Sequence, residues 1–245
     1  MRSDEFIAQI LQASTKEDIQ VLREKLPLGQ NDGELIYAQK TTHLFTTRHT
    51  AVTGEMRTTF IKRLILTLSQ LYSPEEAHFF ILSTKSDYGE LLYAKTIDLT
   101  LPFIRTQEDF ELAVKSIKDL IANDEQGKYR RKTFIVIDGI ESLTKSALLN
   151  DLENYRNLLD YLTLKQKVDV ITGVDLMQSI FSGNPGVFVG FGNCLITVHS
   201  PEKADVTYVN VDCSLSTPTA FEYPSSPTFL ETVASLNTAM EGIVD

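Results

Sequence analysis

Apolar residues along this chain recur with two periods, and the periods alternate. Near the start, "DEFIAQILQAS" and "KEDIQVLREKL" place Phe6, Ile7, Ile10 and Leu11, then Ile19 and Leu22, at helical spacing, with Thr15 positioned to cap the second segment. "LPLGQNDGEL" then reads as turn chemistry, with Pro27, Gly29 and the Asn31-Asp32-Gly33 run. Short apolar stretches at 35–38, 43–47 and 50–53 read as strands. After Gly54 the period lengthens again, and Phe60, Leu64, Ile65, Leu68 and Leu71 form the stripe of an amphipathic helix.

The alternation continues. "HFFILS" (78–83) is an unbroken apolar run of the kind found in strands buried on both faces. Residues 106–122 predict a helix: Thr106 can cap it, Glu108 and Asp109 lie in its first turn, and Phe110, Val114, Ile117 and Ile121 share one side. "TFIVID" (133–138) is the strongest strand signal and ends on Asp138. A helix bearing Leu152, Tyr155, Leu159 and Leu162 precedes the strand "VDVIT" (168–172). Strand–helix alternation of this sort predicts an α/β fold with a mainly parallel, doubly wound sheet.

From residue 182 the texture changes to glycine-punctuated, β-rich sequence, which predicts antiparallel additions at the sheet edge. Residues 216–227 read as a Pro/Ser connector, and Thr228 with Glu231 forms a capping box for a last helix carrying Phe229, Val233, Leu236 and Met240. The expected organisation is one domain over 1–245: a helical segment over 1–25, a core over 26–181, and a β-rich extension with a C-terminal helix over 182–245.

Composition narrows the function classes. The chain has 245 residues, 42% hydrophobic and 23% charged, and 23 Lys+Arg against 33 Asp+Glu give a net charge of −10. An acidic balance disfavours nucleic acid, whose affinity comes from Lys and Arg on phosphates. "KYRRK" (128–132), the one short basic run, reads as a solvated turn before a strand. Cys194 and Cys213 form neither a disulfide framework nor a ligand pattern, so reduced thiols and a cytosolic setting are expected. His43, His49, His78 and His199 lie in or beside apolar strands, the ordinary place of structural histidines. The first residues lack the apolar region of a signal peptide, and no run approaches the roughly 18 apolar residues of a membrane span. "GFGNCL" lacks a third glycine and precedes a strand, which argues against a dinucleotide loop.

The candidate chemistry sits at Gly54-Glu55-Met56-Arg57-Thr58-Thr59, between a strand and a helix. A phosphate-binding loop has the pattern G-x-x-x-x-G-K-[ST]: glycines admit the phosphate, the lysine reaches its charge and the hydroxyl holds Mg²⁺. Here one glycine survives, Arg57 would replace the lysine by charge only, Glu55 brings a carboxylate, and Thr58 and Thr59 supply the hydroxyl end. Asp138 has the position of the carboxylate that orders Mg²⁺. The next residue, where a general base would stand, is Gly139, and Glu141 reads as turn surface. Loss of one preorganised group costs about 10²–10³ in rate, so loss of several leaves little. A plain strand–turn–helix, a site holding an anion or nucleotide without hydrolysis, and a working ATPase stay open on these residues.

The order and spacing of "LPLGQNDGELIYAQKTTHLF", "HTAVTGEMRTTFIKRLILTL", "PFIRTQEDFELAVKSIKDLI" and "FIVIDGIESL" resemble the FtsK/SpoIIIE branch of P-loop ATPases over about residues 26–175. Within that branch the chain is most similar to the last, degenerate ATPase-like module of type VII secretion coupling proteins of the EssC family. The resemblance implies a RecA-like core with weakened nucleotide motifs. Gly54, Arg57, Thr58 and Thr59 then fall in the phosphate-loop region and Asp138 on the second motif. It implies a non-hydrolysing module, not an enzyme in its own right, with no firm cofactor and ATP/Mg²⁺ as the ligands in question. Its partners would be a secreted protein substrate or the adjacent modules of a larger, membrane-anchored chain. An active FtsK-like ATPase that drives translocation of protein or DNA is the alternative.

Overall fold

The structure is a computed structural model of the chain, and it describes residues 15–38, 48–126, 131–139, 157–158, 161–162, 165, 168–175, 194–208 and 215–223. The expectations for residues 4–14, 43–47, 128–130, 152–156, 182–193 and the last helix, and those for His43, Glu141 and Cys213, lie outside these residues.

Helix α1 (Lys16–Lys25) begins at the capping box that Thr15 sets up. The Asp18 backbone N–H donates to Thr15 Oγ1 at 3.2 Å, and the Thr15 N–H donates to Asp18 Oδ2 at 2.7 Å. Strands β1 (Pro27–Asn31) and β2 (Glu34–Tyr37) form a hairpin whose two turn residues, Asp32 and Gly33, both have positive φ, 48° and 84°. The turn falls where the sequence placed it, but the residues before it are a strand. Pro27 is tolerated there because it is the first residue of β1; the pairing with β2 is irregular between Pro27 and Gly29 and regular from Gly29 to Asn31.

The elements then follow as β3 (Arg48–Thr53), α2 (Arg57–Leu71), β4 (Ala77–Ser83), a 3₁₀ segment (Ser86–Tyr93), β5 (Leu99–Thr100), α3 (Gln107–Gln126), β6 (Lys132–Asp138), β7 (Val168–Gly173), β8 (Cys194–Val198), β9 (Lys203–Tyr208) and β10 (Thr219–Glu222). Among the described residues, ten strands join one sheet in the order β2-β1-β10-β9-β8-β3-β7-β6-β4-β5. The run from β8 to β5 is parallel, and β9, β10, β1 and β2 extend it antiparallel.

Alternate residues of the central strands feed two cores. Val52, Phe79, Ile81, Phe134, Val136 and Ile171 meet Phe60, Ile61, Leu64, Ile65 and Leu68 of α2 on one face. Ala51, Phe80, Leu82, Ile135, Ile137 and Val170 meet Phe110, Ala113, Ile117 and Ile121 of α3 on the other. Each such Val, Leu, Ile or Phe side chain taken from water contributes about 1.5–3 kcal/mol, which is why these strands are apolar on both faces. Leu162, from the stretch read as a helix before β7, is fully buried in the second core.

The antiparallel additions expected after residue 182 are present as β9 and β10, which extend the sheet from β8, itself parallel to β3. One expectation for the C-terminal part is corrected. The stretch taken for a connector contains β10, because Phe221 is buried and stacks edge-on with Phe60 at 6.3 Å. One large apolar residue in a four-residue strand is a weak signal, and its burial depends on α2 lying above it.

Candidate functional site

In open parallel sheets the crevice beyond the carboxyl ends of the strands is where ligands bind. Here that edge is set by register: Ser83 pairs with Asp138, Asp138 with Gly173, and Gly173 with Val52. The C-terminal ends of β4, β6, β7 and β3 are therefore level, and the turn from β3 to α2 lies beside Asp138.

That turn is short. Gly54, Glu55 and Met56 alone separate β3 from α2, and the Arg57 N–H donates back to the Gly54 carbonyl at 3.2 Å. One of the N–H groups that a phosphate loop would aim at its ligand is thus used inside the turn. Gly54 has φ +106°, and a Cβ there would lie 2.3 Å from the Val198 carbonyl oxygen of β8. Packing of β8 against the turn accounts for this glycine with no ligand involved.

Asp138 is fully buried and accepts from four side chains. Arg57 Nε donates to Oδ1 at 3.0 Å. Thr58 Oγ1 donates to Oδ2 at 2.7 Å, and the Tyr88 hydroxyl donates to the same oxygen at 3.0 Å. Lys85 Nζ lies 3.2 Å from Oδ2 and 3.4 Å from Oδ1, and it donates to Thr58 Oγ1 at 2.7 Å. Burial alone would raise the Asp138 pKa, yet it is held below the ordinary value by the Lys85 charge, the Thr58 hydrogen bond and Arg57. Burial, and then the Asp138 charge, push the Tyr88 hydroxyl well above its usual pKa, so Tyr88 stays a donor.

Glycines line this cluster for steric reasons. A Cβ on Gly173 would stand 2.3 Å from Asp138 Oδ1. A side chain at Gly139, where φ is +78°, would meet Thr84 Oγ1 at 2.9 Å and Lys85 Cε at 3.2 Å. The position of a general base is thus occupied by the Lys85 stem, and Thr84 Oγ1 secures it by donating to the Gly139 carbonyl at 2.8 Å.

Of the residues singled out in the sequence, the structure brings Arg57, Thr58 and Asp138 together. Gly54 packs on β8, and half-buried Thr59 is not among the groups bonded to Asp138. Sequence reasoning missed Lys85 and Tyr88. The signal was available in "HFFILS", a strand placed to neighbour "TFIVID", since residues just past its end then meet the end of β6.

Several other titratable groups have structural partners. His49 Nε2 is 2.9 Å from Thr172 Oγ1, His78 lies between Asp98 and Thr100 at 2.9 and 3.1 Å, and His199 is 2.8 Å from Asp205. Arg131 and Lys132 from the basic run pair with Asp98 at 2.6 Å and Asp169 at 2.7 Å. Cys194 is buried as expected.

Among solved structures, the chain is similar to the cytoplasmic domain of the type VII secretion ATPase EccC from Thermomonospora curvata, with a TM-score of 0.59 at 13% identity over 94% of this chain and 34% of that one. It is also similar to EssC (ATPases 2 and 3) from Geobacillus thermodenitrificans, with a TM-score of 0.58 at 12% identity over 89% of this chain and 48% of that one. The fold is that of the type VII secretion ATPase modules. It is a RecA-like P-loop NTPase fold, and this chain spans a third to a half of those two structures. A third similar structure is T. curvata EccC (ATPases 2 and 3) in complex with a signal sequence peptide, with a TM-score of 0.55 at 10% identity over 83% of this chain and 41% of that one. No family model and no curated protein matches the chain. Among the described residues, no helix is long and apolar enough to cross a membrane.

An ATPase fold brings ATP and Mg²⁺ into question. Mg²⁺ requires oxygen ligands at about 2.0–2.1 Å in octahedral array and retains several waters. Both oxygens of Asp138 instead accept from cationic nitrogens, and Arg57, at the start of α2, turns to the carboxylate. The residues present do not fit a Mg²⁺–nucleotide pair.

Proposed function

We propose that this chain is a non-hydrolysing module of a secretion coupling protein, acting in recognition of an exported protein or in regulation of neighbouring ATPase modules. One observation carries the proposal: the Asp138 carboxylate is committed to Arg57, Thr58, Lys85 and Tyr88. The three-residue turn at Gly54–Met56 supports it, being too short to wrap a phosphate chain. The protein-recognition part draws support from the EccC relative whose structure holds a signal sequence peptide. The net charge of −10, with Arg131 and Lys132 in ion pairs, disfavours a nucleic-acid substrate.

The deciding experiment combines phosphate release with thermal unfolding in millimolar ATP and Mg²⁺. A ligand at 100-fold its Kd stabilises a fold by about 2.7 kcal/mol, a shift that is readily measured. The expected outcome is no phosphate release and no shift. Phosphate release that disappears in Asp138→Ala would establish a working ATPase in its place.

A further inference from the structure

We infer that Lys85, assisted by Arg57, is a built-in replacement for the divalent cation of an ATPase site, holding this end of the sheet closed and excluding Mg²⁺. The inference rests on the non-hydrolysing role and adds what took the metal's place. In P-loop enzymes the ion is held by a Ser/Thr hydroxyl at the helix start and a carboxylate at the end of the neighbouring strand. Lys85 Nζ sits on that pair of groups, 2.7 Å from Thr58 Oγ1 and 3.2 Å from Asp138 Oδ2. Arg57 adds a second positive charge on Oδ1 at 3.0 Å, so the two side chains bring the formal charge of one divalent ion.

The proton arrangement is self-consistent. The Thr58 hydroxyl donates to Asp138 and accepts from Lys85, while Tyr88 donates to the same carboxylate oxygen. A metal ion at that point would have to displace a tethered ammonium and accept Arg57 as a close like charge.

The surrounding chain is built to keep Lys85 there. Its stem runs past Gly139, where a Cβ would come within 3.2 Å of Lys85 Cε and 3.3 Å of its Cγ. The 3₁₀ segment that follows is fastened by Tyr88 to Asp138. It is also fastened to α2 by Lys62 Nζ, 2.7 Å from Glu90 and 3.2 Å from the Asp87 carbonyl. The ends of β4 and β6 and the start of α2 are thereby joined by the chain's own charges. Lys85 is the accessible member of the cluster, with its side chain 31% exposed against 13% for Arg57 and 0% for Asp138.

The test compares melting temperatures with and without millimolar Mg²⁺ at matched ionic strength, since unmatched salt alters every surface charge. The wild type and Lys85→Arg are expected to be indifferent to Mg²⁺. Lys85→Met should melt lower and regain several degrees with Mg²⁺, and the double variant Lys85→Met/Asp138→Asn should lose that gain. Lys85→Gln, which keeps a donor without the charge, gives the same comparison if the methionine variant does not fold. Equal magnesium responses in wild type and variants would overturn the replacement while leaving the non-hydrolysing role standing. Phosphate release by the wild type would instead overturn that role.

Discussion

Replacing Gly54 with alanine distinguishes a glycine kept for a ligand from one kept for packing. Its φ of +106° lies where an L side chain is strained, at a cost of about 1–3 kcal/mol. The new Cβ would also fall 2.3 Å from the Val198 carbonyl oxygen and 3.2 Å from the carbonyl carbon. Backbone cannot swing aside as a flexible side chain can, and Val198 ends β8, which pairs with β3 up to Thr53↔Thr197. Relief requires β8 to move off β3, and overpacking of this kind costs about 1–3 kcal/mol. Gly54→Ala is therefore expected to lose roughly 2–6 kcal/mol in urea unfolding, with the melting temperature falling by about 2–4 °C per kcal/mol for a chain of this size. A glycine that served only to admit a phosphate would border open space, and its alanine variant would lose only the strain of the positive φ, about 1–3 kcal/mol. A loss under about 2 kcal/mol, below the sum of strain and overpacking, would refute the packing account.

Asp138→Ala should cost about 3–5 kcal/mol by removing the buried carboxylate that Arg57 and Lys85 face, and more than Lys85→Met, because Lys85 can reach water; the reverse order in denaturant titrations would refute the cluster's charge logic. Gly173→Ala pushes a methyl to 2.3 Å from Asp138 Oδ1 and should cost about 1–3 kcal/mol. Combined with Asp138→Ala it should be clearly non-additive, and a simple sum would deny the contact. Phe60→Ala, which removes a buried ring edge-on to Tyr223 at 4.8 Å, should cost about 3–5 kcal/mol by calorimetry. In acid, burial works against the ionised forms of Asp138 and Asp98. Lys85, Thr58 and Arg57 in one case, and His78 and Arg131 in the other, nevertheless hold both below the ordinary 3.8. A folded pKa lower than the unfolded one gives stability that is complete above that value and lost as pH falls through the folded pKa. The midpoint in urea should accordingly drop below about pH 4, and a rise there would contradict these assignments.

The sheet's central strands were legible because each buries both faces, so "HFFILS", "TFIVID" and "VDVIT" are mostly apolar, while α3 carries a one-sided stripe and α2 buries Lys62, Leu66, Thr67 and Ser69 beside its own stripe. The Thr15 and Thr106 caps were legible for a local reason: each hydroxyl accepts from an N–H three residues on, Asp18 in one case and Asp109 in the other. β1 and β10 were not. Their few apolar residues are bracketed by proline and glycine, and they become strands because they complete one another's ladders beside β9.

At the candidate site the division is similar. The sequence by itself determined what is missing: a second loop glycine, a lysine after it, and a carboxylate following Asp138. It also placed Gly54 and Asp138 at the ends of their strands. Only the tertiary structure decided what became of those positions. Register brought β4 beside β6, which delivered Lys85 and Tyr88 to a carboxylate 53 and 50 residues further along the chain. The approach of Val198 turned a glycine suited to a phosphate into one required by a neighbouring backbone. Periodicity records which face a residue turns to the core, whereas pairing across a sheet depends on the order in which strands assemble, and no local pattern carries that order.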